Sequence, residues 1–294
     1  MINLPFTLSP LRYPGGKTGI YKYIKELVHV NDVRTYIEPF AGGSGVALSL
    51  LLNGDVDEII INDIDPSIYS FWYSVKHFSS ELIASIEECD ITMTEWEKQK
   101  EIQMNQNAGN PLELGFSTLF LNRTNRSGII KGGVIGGKDQ TGKYKLDCRF
   151  TKATTIKKIR AISAVSDQIR ITNLDAQDFI EQEIVGRLDS LTFFDPPYFN
   201  KGPALYTNFY CNTDHLNLAK RIREELAEYK WIVTYDHCPE IKEMYRGLQS
   251  INYYLTYSAQ RKRRGMEYMF FSDCINQGDY QEFLQLERAL ESIN

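Results

Sequence analysis

The sequence predicts an α/β fold of the Rossmann-like type, in which a mostly parallel sheet carries helices and an insertion interrupts the chain. Three transitions from strand to loop support this prediction. A strand, a glycine-rich loop and a helix follow one another in residues 35–52, a second strand ends in acids at 58–65, and an apolar strand at 188–194 stops at two prolines. Because ligands bind at the carboxyl ends of strands in such sheets, the three loops are candidate parts of one site.

The first transition contains the loop Pro39-Phe40-Ala41-Gly42-Gly43-Ser44-Gly45 between a strand and an apolar helix. This order is typical of the first turn of a nucleotide-binding fold, although the loop matches neither the P-loop nor the G-x-G-x-x-G spacing. The acid Asp63 follows the second strand, at the position where a carboxylate accepts hydrogen bonds from a ribose. The pattern favours a cofactor that contains a nucleoside; glycines with a purely structural role are the alternative.

The third transition is the stretch Asp195-Pro196-Pro197-Tyr198. Two consecutive prolines lack N–H groups and have a fixed φ, so they cannot continue a central strand. The sequence therefore predicts that the Asp195 carboxylate lies at the carboxyl end of a strand, on a stiff loop, with the Tyr198 ring just beyond it. The alternative is a turn that ends the strand and exposes an aspartate to solvent.

Residues 77–166 break the strand-helix rhythm and predict an inserted target-recognition domain, with the catalytic domain formed by residues 1–76 and 167–294. The pattern is helical and polar from 79 to 125, and it becomes glycine-rich from 126 to 147. Short apolar pairs between glycines predict one or two hairpins with flexible tips.

Positive charge is concentrated in this insertion. Residues 120–170 hold twelve Lys or Arg residues against three acids, a net charge of +9, in a chain whose formal net charge is −5. A local basic stretch in an acidic chain is typical of a surface that contacts phosphates. A solvated charged face, or a loop-rich lid over the active site, is the alternative.

After the insertion the strand-helix rhythm resumes. Residues 175–179 place an aspartate and a phenylalanine at a strand-to-helix turn, where they would bracket a nucleobase. The other predicted elements are strands at 168–172, 230–235, 250–257 and 267–272, a tyrosine-rich loop at 199–213 with Asn200, Lys201, Tyr206 and Tyr210, a helix from Asp214 to Ala227 capped by Asp214, a basic hairpin tip at Arg261–Gly265, and a final amphipathic helix from Tyr280 to Ile293.

The composition excludes several classes of protein. The chain has 294 residues, 43% of them hydrophobic and 24% charged, as expected for a soluble globular protein. Its five cysteines form no C-x-x-C pair and its four histidines lack metal-ligand spacing, so we expect neither a disulfide framework nor a metal site. Since no long apolar run or secretion signal is present, we expect a cytoplasmic protein without membrane contact.

Six motifs together resemble the DNA adenine-N6 methyltransferases of the Dam and DpnM type, in which the cofactor motif precedes the recognition region. They occur in the family's order and are Arg12-Tyr13-Pro14-Gly15-Gly16-Lys17, Glu38 to Gly45, Asn62-Asp63-Ile64-Asp65, Leu121-Asn122-Arg123, Asp175 to Phe179, and Asp195-Pro196-Pro197-Tyr198. The resemblance implies a Rossmann-like, S-adenosylmethionine-dependent methyltransferase sheet with an inserted helical and hairpin DNA-recognition domain.

The resemblance also implies which residues bind the cofactor, S-adenosylmethionine. Asp63 would bind the ribose hydroxyls, and Asp178 with Phe179 would hold the adenine of the cofactor. The complete set of implied cofactor contacts is Tyr13, Gly15, Gly16, Lys17, Glu38, Phe40, Ala41, Gly42, Gly43, Ser44, Asp63, Ile64, Asp178, Phe179 and Asp195.

By the same resemblance, Asp195, Pro196, Pro197 and Tyr198 are catalytic and face both the donated methyl group and a flipped adenine in duplex DNA. No metal is expected. The expected DNA contacts are Asn122, Arg123, Arg126, Lys131, Lys138, Lys143 and Tyr144. The glycine-rich stretch at 127–142 differs from the Dam version, so the recognition sequence cannot be carried over.

The expected function is therefore site-specific DNA-methyltransferase (adenine-specific) activity, EC 2.1.1.72, on double-stranded DNA, in a monomer. A cognate restriction endonuclease is a further partner that the resemblance allows. Two alternatives stay open from the sequence: methylation of an RNA base or a protein amide, and a DNA-binding homologue that has lost catalysis.

Overall fold

The computed structural model describes residues 8–13, 15–106, 110–199, 210–257 and 263–287 of the chain. Within these residues, seven strands form one sheet: β1 (Thr35–Glu38), β2 (Glu58–Asn62), β3 (Ile169–Thr172), β4 (Ser190–Phe194), β5 (Lys230–Asp236), β6 (Ser250–Tyr257) and β7 (Arg263–Phe271). Their order across the sheet is β3-β2-β1-β4-β5-β7-β6. The strands predicted from the sequence all lie in this sheet, within a few residues of their expected ends.

The order of the strands determines where a ligand can bind. Strands β1 to β5 run parallel to one another, whereas β7 is antiparallel to both β5 and β6. The chain moves outward from β1 through β2 to β3 and then returns to the other side of β1 as β4. This reversal opens a crevice at the carboxyl ends of β1 and β4, where open α/β sheets bind their ligands.

Hydrophobic residues cover both faces of the sheet. In β2, Ile59 and Ile61 belong to one buried cluster and Ile60 to another, because successive side chains of a strand point to opposite faces. The helices that contribute to the first cluster include α1 (Tyr21–Val30), α2 (Gly45–Leu52) and α3 (Pro66–His77); those of the second include α8 (Ala176–Phe179), α9 (Asn212–Glu225) and α10 (Pro239–Met244).

The insertion is mainly helical, as predicted, and packs against the first face. Its helices are α4 (Ser79–Glu88), α5 (Met93–Asn105), α6 (Pro111–Thr124) and α7 (Lys152–Ser163). Leu82, Leu119 and Ile159 from three of them belong to the same buried cluster as Ile59 of the sheet. The division into a catalytic domain (1–76 and 167–294) and a recognition domain (77–166) stays a prediction.

The hairpin expected between residues 126 and 147 is reduced to one isolated bridge, between Asn125 and Val134. Arg126 N–H donates to the Gly133 carbonyl (3.0 Å), but turns follow on both sides of this contact. Gly136 and Gly137 have φ values of 90° and 80°, which are incompatible with extended strands. The glycines therefore end the pairing instead of forming hairpin tips.

Helix α9 begins two residues earlier than predicted, so Asp214 is not its N-cap. The helix starts at Asn212, and Cys211 is the capping residue. The Asp214 carboxylate instead lies in the first turn and accepts a hydrogen bond from the Cys211 N–H (2.8 Å). An acid three residues after the cap commonly reaches back in this way.

The final helix is shorter than predicted in the part that the structure describes. Helix α11 spans only Tyr280–Phe283, and the chain then becomes extended, with Leu286 bridged to Tyr253 of β6. The Tyr254 N–H donates to the Gln285 carbonyl (2.7 Å). Because β6 is an edge strand, its outer backbone N–H and C=O groups lack a strand partner. A segment can pair with these groups when it is extended but not when it is helical.

Some expectations lie outside the described residues: those for Pro14, for Asn200, Lys201 and Tyr206, for Arg261 and Lys262, and for residues 288–293. Arg263 to Gly265, expected in the same hairpin tip, belong to β7. Among the helices that are described, none combines the length and the apolar composition needed to cross a membrane.

Candidate active site

The glycine loop after β1 and the acid after β2 are in direct contact. The Ala41 N–H donates to the Asn62 carbonyl (2.8 Å), and Gly42 and Ser44 turn the loop with left-handed φ values of 46° and 44°. The Gly42 N–H then donates to Oδ2 of Asp63 (2.9 Å). The glycine loop and Asp63, which the sequence predicts separately, therefore form one structure at the carboxyl ends of β1 and β2.

Asp63 uses both of its carboxylate oxygens to hold the backbone. Besides the contact with Gly42, its Oδ1 accepts a hydrogen bond from the Asp65 N–H (3.0 Å). Burial, together with the neighbouring Asp65 carboxylate, raises the pKa of Asp63 to about 7. Each carboxylate oxygen has a second lone pair, so the side chain, which is half-buried, is able to accept further hydrogen bonds. The adjacent Ile64 is exposed.

Asn62 joins the ends of three strands, although sequence reasoning gave it no role. Its Oδ1 accepts hydrogen bonds from the Thr172 hydroxyl (2.8 Å) and the Leu174 N–H (2.8 Å). Its Nδ2 donates to the carbonyls of Pro39 (3.0 Å) and Leu174 (3.0 Å). This buried amide therefore fixes the end of β2 relative to the loops after β1 and β3.

The Tyr13 ring lies directly on the glycine loop. A Cβ atom at Gly42 would lie 2.6 Å from Cε1 of Tyr13, and one at Gly43 would lie 2.9 Å from its Cβ. Glycine is therefore needed at both positions for this contact. In the turn that follows, Gly15 has a φ of 79° and is half-buried, while Gly16 is exposed.

Lys17 and Thr234 hold the Asp195 carboxylate by the same oxygen. The Lys17 Nζ lies 2.9 Å from Asp195 Oδ1, and the Thr234 hydroxyl donates to Oδ1 at 2.8 Å. The Lys17 side chain is 3% exposed, whereas that of Asp195 is 24% exposed. Burial raises the pKa of Asp195, and the Lys17 ammonium opposes this shift. The carboxylate is thus fixed from behind and open at the carboxyl end of β4.

Glu38, at the end of β1, lies deeper than Asp195. Its Oε1 accepts a hydrogen bond from the Ala47 N–H (3.2 Å) in α2, beside the glycine loop. Burial raises the pKa of Glu38 to about 8, and the nearby Asp195 carboxylate shifts it in the same direction. Glu38 therefore holds its proton at neutral pH and supports the loop as a neutral group.

Tyr198 is anchored through its hydroxyl group to Glu267, on β7. The hydroxyl donates to Glu267 Oε1 (2.6 Å) and accepts a hydrogen bond from Lys17 Nζ (3.2 Å). The Tyr253 hydroxyl donates to the other oxygen of Glu267. Tyr198 is 4% exposed and Glu267 is fully buried. Strands β4, β6 and β7 thus meet Lys17 in one polar cluster beneath the Asp195 loop.

The loop that carries the two prolines is held at its far end as well. Pro196 is buried and Pro197 half-buried, and the Phe199 N–H donates to Oδ1 of Asp236 (2.8 Å), the last residue of β5. Asp236 is itself buried. The loop after β4 is thus fixed by side chains from β5 at both Asp195 and Phe199.

Asp178 and Phe179 have opposite environments. Phe179 is fully buried in the second hydrophobic cluster, so its ring is part of the core, whereas Asp178 is exposed. On the same side, the half-buried Phe40 ring packs edge-on against Tyr210, with 5.7 Å between the ring centroids. The Phe179 ring therefore packs in the core, while the Asp178 side chain is open to solvent.

Within the described residues, no group of three or more His, Cys, Asp or Glu side chains could hold a metal ion.

A family model for D12 class N6 adenine-specific DNA methyltransferases matches residues 13–262. The chain belongs to this family. The matched range contains the glycine loop, Asp63, the insertion and the Asp195 loop. This confirms the predicted methyltransferase fold and the predicted function in site-specific methylation of DNA adenine, in place of RNA-base or protein-amide methylation.

A Type II methyltransferase is similar to this chain over most of both sequences. The Type II methyltransferase M.MjaIII of Methanocaldococcus jannaschii is 29% identical over 235 residues, which cover 73% of this chain and 78% of the relative.

The residues expected to contact DNA in this methyltransferase fall into two groups. Asn122 is buried. Its Oδ1 accepts a hydrogen bond from the Arg12 N–H (2.7 Å), and its Nδ2 donates to the carbonyls of Arg12 (2.8 Å) and Gly128 (2.8 Å). Arg123 donates to the Pro10 carbonyl, and burial lowers its pKa to about 10. The exposed members are Arg126, Lys131, Lys138, Lys143 and Tyr144.

Sequence reasoning missed Glu267, Thr234 and Asp236, which position the Asp195 loop. One pattern could have indicated Glu267: it is the only acid in the apolar run of β7, Met266 to Phe271, and a charge in a buried strand requires a partner. That its partners are Lys17 and Tyr198 could not be read from the sequence, since they lie 250 and 69 residues away.

Proposed function

We propose that this protein transfers a methyl group from S-adenosylmethionine to the N6 amino group of an adenine in duplex DNA, the reaction of EC 2.1.1.72. The observation that carries the proposal is the Asp195 carboxylate, which Lys17 and Thr234 hold by one oxygen at the carboxyl end of β4. It is a partly exposed acid next to the crevice at which the strand order reverses.

The loops around this crevice fit S-adenosylmethionine, which supplies an electrophilic methyl group when bound. The glycines at 42 and 43 leave room for Tyr13 and for close approach of a ligand to the backbone. The half-buried Asp63 carboxylate would accept hydrogen bonds from the ribose hydroxyls. For the adenine moiety we propose the exposed Asp178, since the Phe179 ring is in the core.

Asp195 and Pro196 would prepare the target nitrogen for attack. The N6 amino group of adenine is a poor nucleophile because its lone pair is delocalised into the ring. Hydrogen bonds from this group to the Asp195 carboxylate and the Pro196 carbonyl favour a pyramidal nitrogen. Because Lys17 and Thr234 fix the carboxylate beforehand, little ordering remains for the transition state. Burial raises the pKa of Asp195, which suits this carboxylate to take the proton that N6 releases.

Tyr198 would stack on the adenine, which has to leave the duplex to reach the site. Its anchored hydroxyl holds one end of the ring in place. Since the side chain is 4% exposed, stacking requires neighbouring residues to move aside when the base enters.

The exposed basic residues of the insertion support a DNA-binding surface on the same protein. We assign phosphate contacts to Arg126, Lys131, Lys138 and Lys143, and give Asn122 and Arg123 a supporting role. We further propose a monomer that acts in the cytoplasm of a bacterium or of a phage-infected cell. A separate restriction endonuclease with the same recognition site is the proposed partner, in keeping with the Type II name of the relative.

Replacement of Asp195 tests the proposal. Asp195→Ala should lower the transfer of labelled methyl groups to DNA by about 10³-fold, because a fixed electrostatic partner of the reacting nitrogen is lost. Calorimetry should find S-adenosylmethionine binding within a few-fold of the wild type. Asp189→Ala, an exposed aspartate just before β4, is the matched control and should retain activity. Full activity of Asp195→Ala, or no transfer to DNA by the wild type, would refute the assignment.

A further inference from the structure

Side chains of the insertion hold the segment of residues 9–12, which leads into the glycine turn before α1. The Lys158 ammonium of α7 donates to the Ser9 carbonyl (2.8 Å), and the Arg123 guanidinium of α6 donates to the Pro10 carbonyl. Hydrogen bonds from ionised donors are stronger than those between neutral groups. Two basic residues of the insertion therefore bind this segment from inside the protein.

Asn122 of α6 binds the same segment and a turn of the insertion at once. Its Oδ1 accepts a hydrogen bond from the Arg12 N–H (2.7 Å), and its Nδ2 donates to the carbonyls of Arg12 (2.8 Å) and Gly128 (2.8 Å). The side chain is 1% exposed. The two backbones also touch directly, because a Cβ atom at Gly128 would overlap the Arg12 carbonyl oxygen. Asn122 therefore joins the backbone of Arg12 to that of Gly128.

Each end of this connection lies next to a proposed binding surface. At one end, Gly128 is the last residue of a turn that begins with the exposed Arg126, a proposed phosphate contact. At the other end, Arg12 is followed by Tyr13, whose ring lies on the cofactor loop at Gly42. A phosphate at Arg126 and a cofactor at Gly42 would therefore order two ends of one connected stretch of backbone.

We propose that Asn122 is a positioning residue that couples DNA binding to cofactor binding, so that each ligand raises the affinity for the other. The inference rests on the proposed function, because it takes the crevice as the cofactor site and the exposed basic residues as the DNA surface. DNA bound at Arg126 orders the turn that ends at Gly128, and Asn122 extends this order to Arg12. The cofactor then meets a Tyr13 ring that needs less ordering, which favours binding.

The coupling has a property that a purely structural role of Asn122 does not share. Because the coupling free energy belongs to both sites, the cofactor has to raise the affinity for DNA by the same factor by which DNA raises the affinity for the cofactor. A side chain that only stabilises the fold changes the two affinities without changing this shared factor.

S-adenosylhomocysteine measures the factor without turnover, since it has no methyl group to transfer. Its dissociation constant is determined by equilibrium dialysis on the complete protein, without DNA and with saturating long duplex DNA made by amplification. Such DNA contains many short sequences and no methylated adenine. We expect the wild type to bind S-adenosylhomocysteine at least about fivefold more tightly with DNA, the lower end of the usual range for coupled sites.

Asn122→Ala removes the hydrogen bonds that join Arg12 to Gly128. The ratio of the two dissociation constants should therefore fall below about twofold. Fluorescence anisotropy of labelled duplex DNA, with and without S-adenosylhomocysteine, should give the same ratio in each variant. If Asn122→Ala does not fold, Asn122→Asp keeps the acceptor for the Arg12 N–H and loses both donated hydrogen bonds, and the same fall in the ratio is expected.

Asn125→Ala is the matched control. Asn125 is a buried amide at the end of α6, and its side chain bonds other residues of the insertion: the Ile129 carbonyl (3.1 Å), the Ile130 carbonyl (2.9 Å) and the Trp96 indole (2.7 Å). The variant loses hydrogen bonds of the same kind close to Gly128 and leaves those of Asn122 in place. Its ratio should stay within about twofold of the wild type.

Three results would overturn the inference: equal affinity of the wild type for S-adenosylhomocysteine with and without DNA, an unchanged ratio in the Asn122 variants, or the same loss in Asn125→Ala, which attributes the coupling to general order of the turn. The proposed function fails differently. A protein that shows the coupling but transfers no methyl group to DNA refutes the reaction and leaves the role of Asn122 standing. An active enzyme without the coupling refutes only the role of Asn122.

Discussion

Asp63 illustrates how a single side chain combines a structural and a binding role. Two backbone N–H groups, those of Gly42 and Asp65, bind its carboxylate and lower its pKa. Burial and the Asp65 carboxylate outweigh these hydrogen bonds, so the pKa rises to about 7. At neutral pH, a group that orders the glycine loop is therefore close to half protonated.

This pKa predicts that cofactor binding depends on pH. Hydrogen bonds from ribose hydroxyls favour the ionised carboxylate, so binding lowers the pKa of Asp63 and releases a proton below pH 7. We expect S-adenosylmethionine affinity to be about tenfold lower at pH 6 than at pH 8, measured by calorimetry. Asp63→Asn should bind more weakly at all pH values and lose this dependence. Asp57→Asn, an exposed acid before β2, is the control and should retain it.

A pH-independent affinity in the wild type would contradict the assignment of Asp63 to the ribose. Equal pH dependence in Asp63→Asn would attribute the titration to another group.

At the scale of elements, the segment before α1 and the loop after β1 depend on each other. The Tyr13 ring occupies the space that side chains at Gly42 and Gly43 would need. Asn122 of α6 binds the backbone of Arg12 and thereby fixes the residue next to Tyr13. The loop is therefore ordered by packing from outside the sheet as well as by hydrogen bonds from Asp63.

We predict that Gly43→Ala weakens cofactor binding by displacing Tyr13. The added Cβ would lie 2.9 Å from the Tyr13 Cβ, a distance that real contacts do not reach. The affinity for S-adenosylmethionine should fall about tenfold, since steric overlap of this size costs about 1–3 kcal/mol. Gly133→Ala is the matched control, because nothing lies within 4 Å of its added Cβ. Wild-type affinity in Gly43→Ala would show that Tyr13 is not required at this position.

The elements also show what the sequence can predict. The strands of the sheet and the helices α3 to α6 were predictable, because their apolar periodicity and caps are local, as in Asp65 before α3. The early end of the final helix was not predictable, since the bridge between Leu286 and Tyr253 depends on an edge strand that is distant in the sequence. Within the site, Asp195 and the glycine loop were recognisable from the sequence. The role of Glu267 was not, because its partner Lys17 comes close to it only in the folded chain.

For the molecule as a whole, positive charge is concentrated in one region of an acidic chain. Residues 120–170 carry a net charge of +9, whereas the chain as a whole has a formal net charge of −5. Sequence alone located the basic region but not which of its members are exposed: Asn122 and Arg123 support the backbone, and Arg126 and Lys131 face solvent. Burial, which decides between these roles, depends on how the insertion packs against the sheet.

We predict that the double variant Arg126→Ala, Lys131→Ala binds DNA more weakly and with a smaller salt dependence. Each lost phosphate contact should reduce the slope of log K against log salt by about 0.9, so the expected change is about 1.8. Fluorescence anisotropy with labelled duplex DNA at several salt concentrations measures the slope. Lys220→Ala, an exposed lysine in α9, is the control and should leave it unchanged. An unaltered slope in the double variant would mean that these residues do not lie at the DNA surface.

The extended segment after α11 has a consequence for how copies of this chain behave toward one another. An outer strand with open N–H and C=O groups is a template onto which a strand of a second molecule can add. Here the Tyr254 N–H already donates to Gln285, and the Glu287 N–H donates to the Asn252 carbonyl (3.3 Å). The protein's own chain thus occupies this stretch of the β6 edge, where an intermolecular sheet would otherwise be able to start.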